Sequence, residues 1–342
     1  MKPINEIKSY LLKHVKQYPH DIVAVAAQHF NVTRTTIHRH LTALLLQNKI
    51  LKSGTTKQVK YFLPSTLTYE KNYKISPSIS EFSILDQDFS FITKTLPKNV
   101  EHIFSYGFTE IFNNAIDHSH GTNIFVKTEW IEDNLVLTIA DDGIGLFQYI
   151  YDYFNLTDIR ESILQLSKGK ITTDPANHTG EGVFFSSRAF DVFEIYANQL
   201  YYMRNNTDQD WSFKTLNYKT KGTTVKMMVN NHSTLHLKDL FESYQDENSL
   251  AFNKTEIVIK LAKFEEEVLM SRSQAKRITF NLEKFDRVVL DFKGIEFVGQ
   301  GFVDQLFRVY ATTHPNTTIE YINAVEDVEF MILRGIETSK RQ

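Results

Sequence analysis

The sequence predicts a multidomain α+β protein, and three observations predict it. The chain has 342 residues, more than a single hydrophobic core usually serves, so two or three domains are expected. The apolar pattern changes along its length: three helix-period stretches with a hairpin come first, then a helix with alternating strands, then a small unit of strands and helices in turn. The charge is also divided unevenly. Residues 1–65 carry ten Lys and Arg against Glu6 and Asp21, a net +8, so the overall −3 leaves −11 on the rest. A basic head on an acidic body points to a polyanion partner for the head alone.

Composition bounds the class. Hydrophobic content of 42% and charged content of 23% are ordinary for a soluble globular protein. No apolar run is long enough to span a bilayer, and the polar start with its short Leu11-Leu12 pair lacks a signal-peptide core. A cytoplasmic protein without membrane contact is expected. Zero cysteines exclude disulfides, thiolate metal sites and cysteine nucleophiles.

Residues 1–65 form the first unit. Ile4, Ile7, Leu11, Leu12 and Val15 recur at helical spacing until Tyr18-Pro19, and a second helix carries Ile22, Val23, Val25, Ala26 and Phe30. Asn31-Val32 turns the chain, Thr33 can cap a third helix, and Ile37, Leu41 and Leu44 form its inner stripe; Val32 and Ile37 are spaced as a hydrophobic staple. Ile50–Lys52 and Val59–Leu63 then flank a hairpin with a basic tip. Phe30–Leu41 followed by this hairpin resembles a bacterial winged helix-turn-helix domain. The resemblance implies double-stranded DNA as partner, with Arg34, Thr35, His38 and Arg39 entering a major groove and Lys57 and Lys60 meeting phosphates. A winged helix used for protein contacts is the alternative. His38 and His40, with no thiolate or carboxylate beside them, read as donors or surface residues rather than metal ligands.

Residues 66–97 are rich in Ser, Thr, Lys and Pro and read as a linker, with Pro77 and Pro97 limiting any helix. The second unit, 98–232, opens with a helix through Phe108–His118. Glu110 and Asn114 lie one turn apart on one face, while Ile111, Phe112 and Ala115 can face inward. Strands Ile124–Trp130 and Asn134–Ala140 lead to the acidic turn Asp141-Asp142-Gly143-Ile144-Gly145. A long segment ends in Gly180-Glu181-Gly182, and helix Gly182–Phe190 is followed by strands Val192–Ala197, Tyr201–Arg204 and Thr223–Val229. Helices on one face of a mixed sheet are expected.

The order and spacing of these boxes resemble the GHKL nucleotide-binding superfamily of gyrase, the heat-shock chaperone, histidine kinases and mismatch-repair ATPases. Glu110, Asn114 and Asp117 match its N-box, Asp141, Gly143 and Gly145 its first glycine box, Gly180 and Gly182 the second, and Gly222-Thr223 the last. The resemblance implies a Bergerat-type α/β sandwich that binds ATP with Mg²⁺. The chemistry of the residues agrees. The Asp141 carboxylate can accept a bond from the exocyclic adenine amine, a donor that guanine lacks at that position. Gly143 and Gly145 would turn with positive φ beside the ring, and the Asn114 amide oxygen suits Mg²⁺ shared with phosphates. Glu110 can act as a base toward water or a substrate hydroxyl. The segment between the glycine boxes is the family's lid; amides at Gly180–Gly182 suit phosphate oxygens, and Lys168 is either a further phosphate contact or a solvated lysine.

The polar, acidic stretch 230–253 marks a boundary, and 233–342 forms the third unit. Strand Glu256–Ala262, helix Ser271–Leu282, strand Arg287–Asp291, helix Gly301–Ala311, strand Thr317–Ile322 and helix Val325–Leu333 alternate as a small α/β domain. Ser271–Arg277, Val289–Gly294 and Val298–Arg308 resemble a STAS-like domain of unknown function, related to anti-sigma-factor antagonists. Those antagonists carry a phosphorylatable Ser or Thr where this chain has Gly299-Gln300-Gly301. A packing or dimerising role and a signalling role through a regulatory protein partner both stay open. Together the modules predict an ATP-responsive transcription regulator, expected as a homo-oligomer. The alternative is a protein serine/threonine kinase resembling anti-sigma-factor kinases, with Glu110 as base. A histidine kinase is disfavoured, because no dimerising heptad hairpin with a phosphoacceptor histidine precedes the N-box and His102 lies just ahead of that box.

Overall fold

The computed structural model describes residues 4–47, 49–53, 59–63, 68–171, 180–246, 249–264 and 267–340. Several sheets and many helices make it a mixed α/β, multidomain chain.

The N-terminal unit has its own core. Helices α1 (Ile4–His14), α2 (Ile22–Phe30) and α3 (Arg34–Leu46) enclose Leu11, Val15, Ile22, Ala26, Ile37, Leu41 and Leu44. Thr33 caps α3 as its position predicts, its Oγ1 accepting from the Thr36 N–H at 3.2 Å. Strands β1 (Leu51–Ser53) and β2 (Lys60–Phe62) pair antiparallel, and the Tyr61 N–H donates to the Pro19 carbonyl at 2.8 Å, pinning the ribbon to the turn between α1 and α2.

The central unit is a seven-stranded sheet in the order β3-β4-β5-β9-β6-β7-β8. Its strands are β3 (Tyr69–Lys74), β4 (Asn123–Ile131), β5 (Asn134–Asp141), β6 (Val192–Ala197), β7 (Leu200–Asn205), β8 (Asp210–Thr215) and β9 (Thr223–Asn230). Every neighbouring pair is antiparallel, which corrects the expected mixed sheet. Helix α5 (Lys98–His118) lies across β5 and β9, flanked by α4 (Glu81–Thr93) and α8 (Gly182–Ala189). Phe89, Phe108 and Phe112 stack between α4 and α5, with ring centroids 5.0 and 5.3 Å apart.

The linker reading of 66–97 is also corrected, since this segment supplies edge strand β3 and helix α4. Tyr73 Oη and Lys71 Nζ both donate to Asp88 Oδ2, at 2.8 and 2.7 Å, and tie the two together. An edge strand buries little, and of β3 only Tyr73 is buried, so its polar sequence carries no apolar alternation to read.

In the C-terminal unit, β12 (Lys254–Val258), β13 (Arg287–Asp291) and β14 (Thr318–Ile322) form a parallel sheet in that order. The strand expected through Ala262 ends at Val258 and tightens into a 3-10 turn. Helices α10 (Arg272–Thr279), α11 (Gln300–Asp304), α12 (Ala311–Thr313) and α13 (Glu326–Lys340) complete the unit, with a π-helical stretch, Gln305–Tyr310, joining α11 to α12. Ser271 and Gln274 cap α10 reciprocally as a capping box. The polar stretch before it is also structured, as α9 (Leu237–Glu242) and the ribbon β10 (Gln245–Asp246) with β11 (Ser249–Phe252). Phe241 and Phe252 pack on Phe185 and Phe184 of α8, with centroids 4.7 and 4.5 Å apart. The central and C-terminal units thereby share one continuous apolar core. No helix among the described residues is long and apolar enough to cross a membrane.

Candidate functional site

A cavity of about 310 Å³ opens between α5, the end of β5, α6 (Leu146–Phe154), α7 (Glu161–Lys168) and the start of α8. That volume is enough for a small organic ligand. Glu110, Asn114, Asp141, Gly145, Gly180, Gly182 and Thr223, drawn from four separate stretches of chain, all line it.

Helix α5 supplies one wall because its two faces differ. Phe108, Ile111, Phe112 and Ala115 are buried against the sheet and neighbouring helices, while Glu110, Asn114 and His118 recur every four residues along the cavity side. At one end, a Cβ added to Gly182 would run into Glu110 Oε2, so the carboxylate lies against the N-terminus of α8. A helix N-terminus carries a partial positive charge.

At the other end, Asp141 closes β5. Its Oδ1 accepts from the N–H groups of Gly143 at 2.8 Å and Thr223 at 3.3 Å. Burial pushes its carboxyl above the ordinary range, and those bonds oppose the shift. Thr223 Oγ1 in turn accepts from the Leu146 N–H at 2.9 Å, joining the start of β9 to the first turn of α6. Asp142 is structural: it accepts from the N–H groups of Thr122 and Asn123 at 2.7 and 2.9 Å, and bonds from the Asn123 side chain and these amides hold its carboxyl well below the usual range.

The two glycines of this turn serve different ends. Gly145 has φ +89° and lies against the Asn198 side chain, which accepts from the Gln148 N–H at 3.0 Å and donates to the Ile144 carbonyl at 2.8 Å. Gly143 does not have a positive φ and does not line the cavity, which corrects its expected role. It is glycine because a Cβ there would strike the Ser119 carbonyl, where the end of α5 meets the turn.

Two further expected residues fall outside the cavity. Asp117, on the same helix, is exposed and does not line the cavity. Lys168 is neither solvated nor aimed at the cavity. It is 2% exposed, and its Nζ donates to the carbonyls of Phe280 and Arg277 at 2.8 and 3.2 Å and to Gln165 Oε1 at 3.2 Å. Every residue of α7 is buried because the C-terminal unit covers it, a contact that no local pattern announces. Asn113, His118, Ser119 and Tyr149 line the cavity without having been anticipated. The i+4 step from Asn114 could have flagged His118, whose Nδ1 is 3.4 Å from Tyr149 Oη.

On the N-terminal unit, Arg34, Thr35, His38 and Arg39 are all exposed on α3, as is Lys60 on β2; Lys57 lies outside the described residues. His40, expected as a donor or a surface residue, is buried, and burial with the nearby Arg39 and Lys8 charges lowers its pKa. Among the described residues no group of three or more His, Asp or Glu could hold a metal ion by itself.

The tight turn gives a direct check. Gly143→Ala should cost about 1–3 kcal/mol, as overpacking does, and lower the thermal unfolding midpoint; an unchanged midpoint would show that α5 and the turn are not locked together.

Residues 274–329, from α10 into α13, match the model of a STAS-like domain of unknown function. No curated protein matches the chain. The C-terminal unit is thus STAS-like, and its Gly299, where a Cβ would come within 2.7 Å of Met270 Cα, supplies backbone clearance rather than a hydroxyl.

Proposed function

We propose that this chain is a GHKL-type ATP-binding regulator: ATP with Mg²⁺ occupies the cavity, and its occupancy governs how a winged-helix head binds double-stranded DNA. The observation that carries this reading is that Glu110 and Asn114, Asp141 and Gly145, Gly180 and Gly182, and Thr223 all line one cavity. In it Asp141 reads the adenine amine, and its two backbone bonds hold the carboxylate in register for that contact. Phosphates extend toward the backbone amides of Gly180–Gly182 at the start of α8. Asn114, midway along the same face, offers one amide oxygen to Mg²⁺. Among the described residues no acidic cluster completes the shell, so phosphates and water would supply the other ligands, the usual manner of a magnesium nucleotide site. The ion, when bound, would neutralise the phosphates. The exposed Arg34, Thr35, His38 and Arg39 on α3 form the DNA-reading face, on the basic part of the chain.

A second reading is favoured by Glu110, which sits at the phosphate end against Gly182. There a carboxylate can deprotonate a hydroxyl for phosphoryl transfer, so the chain would be a protein serine/threonine kinase. Its substrate would be a partner protein, since 299–301 offers no hydroxyl.

Mobility shifts of genomic DNA fragments with and without ATP–Mg²⁺ separate these readings. The regulator requires nucleotide-dependent binding, weakened in Arg39→Ala. Binding that ignores ATP, or no binding to any fragment, would sink it. Asp141→Asn should weaken ATP at least about tenfold by calorimetry, because losing a charge-assisted bond costs roughly 1.5–3 kcal/mol; unchanged affinity would remove Asp141 as the adenine reader. Glu110→Ala should leave affinity intact while any turnover falls by roughly 10²–10⁴-fold, whereas Asn114→Ala should weaken binding itself. Equal loss of binding in both would make Glu110 structural.

A further inference from the structure

Helix α7 has two contrasting sides. Leu166 on α7, with Gly169 and Ile171 just after it, lines the cavity. The other side is held by the STAS-like unit through bonds that mostly end on backbone carbonyls. The Lys168 ammonium has three donors, and it meets three acceptors: Gln165 Oε1 on its own helix and the carbonyls of Arg277 and Phe280, at the negative end of α10. Thr255 of β12 donates from Oγ1 to the Lys168 carbonyl at 2.7 Å, and both residues are buried. Lys170 Nζ donates to the Lys284 carbonyl at 2.7 Å, and Arg277 pairs with Glu161 at 3.8 Å.

We propose that Lys168 is a positioning residue, fastening the cavity rim from Leu166 to Ile171 onto the STAS-like unit so that this unit sets the width of the nucleotide cavity and hence its affinity. The proposal rests on the ATP reading above. It gives the C-terminal unit a task within its own chain, and it makes nucleotide binding and rim docking reciprocal: whatever loosens one weakens the other.

The anchor is also sensitive to protons. Charged groups around Lys168 are Glu161 on α7, Arg277 on α10, Glu283 and Lys284 on the turn after it, Lys170, Arg188 on α8 and Glu256 on β12. Burial outweighs the two acids that favour the ammonium, Glu283 and Glu161, and lowers its pKa to about 7, from an ordinary 10.5. An undocked rim would return Lys168 to water and to that ordinary value. The docked form then holds fewer protons between pH 7 and 10.5, so docking strengthens as pH rises through this window and is weakest below it.

Hydrogen exchange of the nucleotide-free full chain tests the anchor, and ATP–Mg²⁺ calorimetry on the same samples tests its consequence. Lys168→Ala should speed exchange across 161–171 at least tenfold while β4 and β5 keep their protection, and should weaken ATP by a comparable factor. Should that variant fail to fold, Thr255→Val removes one anchoring bond in an isosteric frame and should speed the same amides several-fold. Over pH 7–9, with exchange corrected for its intrinsic chemical rate, wild-type protection of the rim should rise by up to about tenfold per unit, and Lys168→Met should be flat. Unchanged exchange in both Lys168→Ala and Thr255→Val overturns the anchor, and a flat wild-type pH profile overturns its sensitivity to protons. Wild-type binding of ATP that Lys168→Ala leaves intact overturns the link to affinity. A wild-type chain that binds no ATP removes the nucleotide reading itself, while the exchange result still decides the anchor.

Discussion

The cavity depends on how closely the end of α5 can approach the turn after β5. Ser119, at the helix end, presses its carbonyl into the place where any side chain on Gly143 would stand, and the same carbonyl accepts from the Ile144 N–H at 2.9 Å. Gly222 repeats the arrangement from the other side, its left-handed φ of +63° letting the chain pass beneath the Asp141 carbonyl. With those two contacts made, Asp141 is fixed at the cavity wall by backbone donors from both flanking segments. The polar stripe of α5 then has no direction left except across the cavity, toward α7 and α8. A looser approach would separate Asp141 from the face of α5 that carries Glu110 and Asn114.

Much of this was legible because it rests on short-range periodicity. The four-residue step from Glu110 to Asn114, the strand that ends at Asp141 and the stripe Ile37, Leu41, Leu44 each state a local geometry, and each is found in the fold. What escaped was fixed by distant partners. Strand β3 draws its place from pairing with β4, and a mostly exposed edge needs few apolar residues. Lys168 follows the ordinary pattern of a surface lysine, yet it is buried because residues more than a hundred positions later supply carbonyls to it. Gly143 must be glycine without being left-handed, since sequence distinguishes poorly between a backbone that must turn and one that must be approached.

The three units are joined unequally. The N-terminal unit encloses a core of its own, whereas the central and STAS-like units share one. Helix α8 is the hinge of that sharing. Its first residues line the cavity, and near its far end the buried Arg188 donates from Nε to Tyr244 Oη at 3.1 Å and stacks on Phe184, reaching α7 and β12 through carbonyls of Ser167 and Glu256. A buried guanidinium held mainly by carbonyls and rings is costly to disturb, so α8 and the C-terminal sheet must move together or not at all.

Calorimetric titration of the full chain with ATP and with GTP, each with and without Mg²⁺, tests the central claim most directly. The account requires ATP to bind, Mg²⁺ to strengthen that binding, and GTP to fail, because the Asp141 carboxylate meets a carbonyl oxygen where adenine has an amine. Equal binding of both nucleotides, or no heat from either, would contradict it.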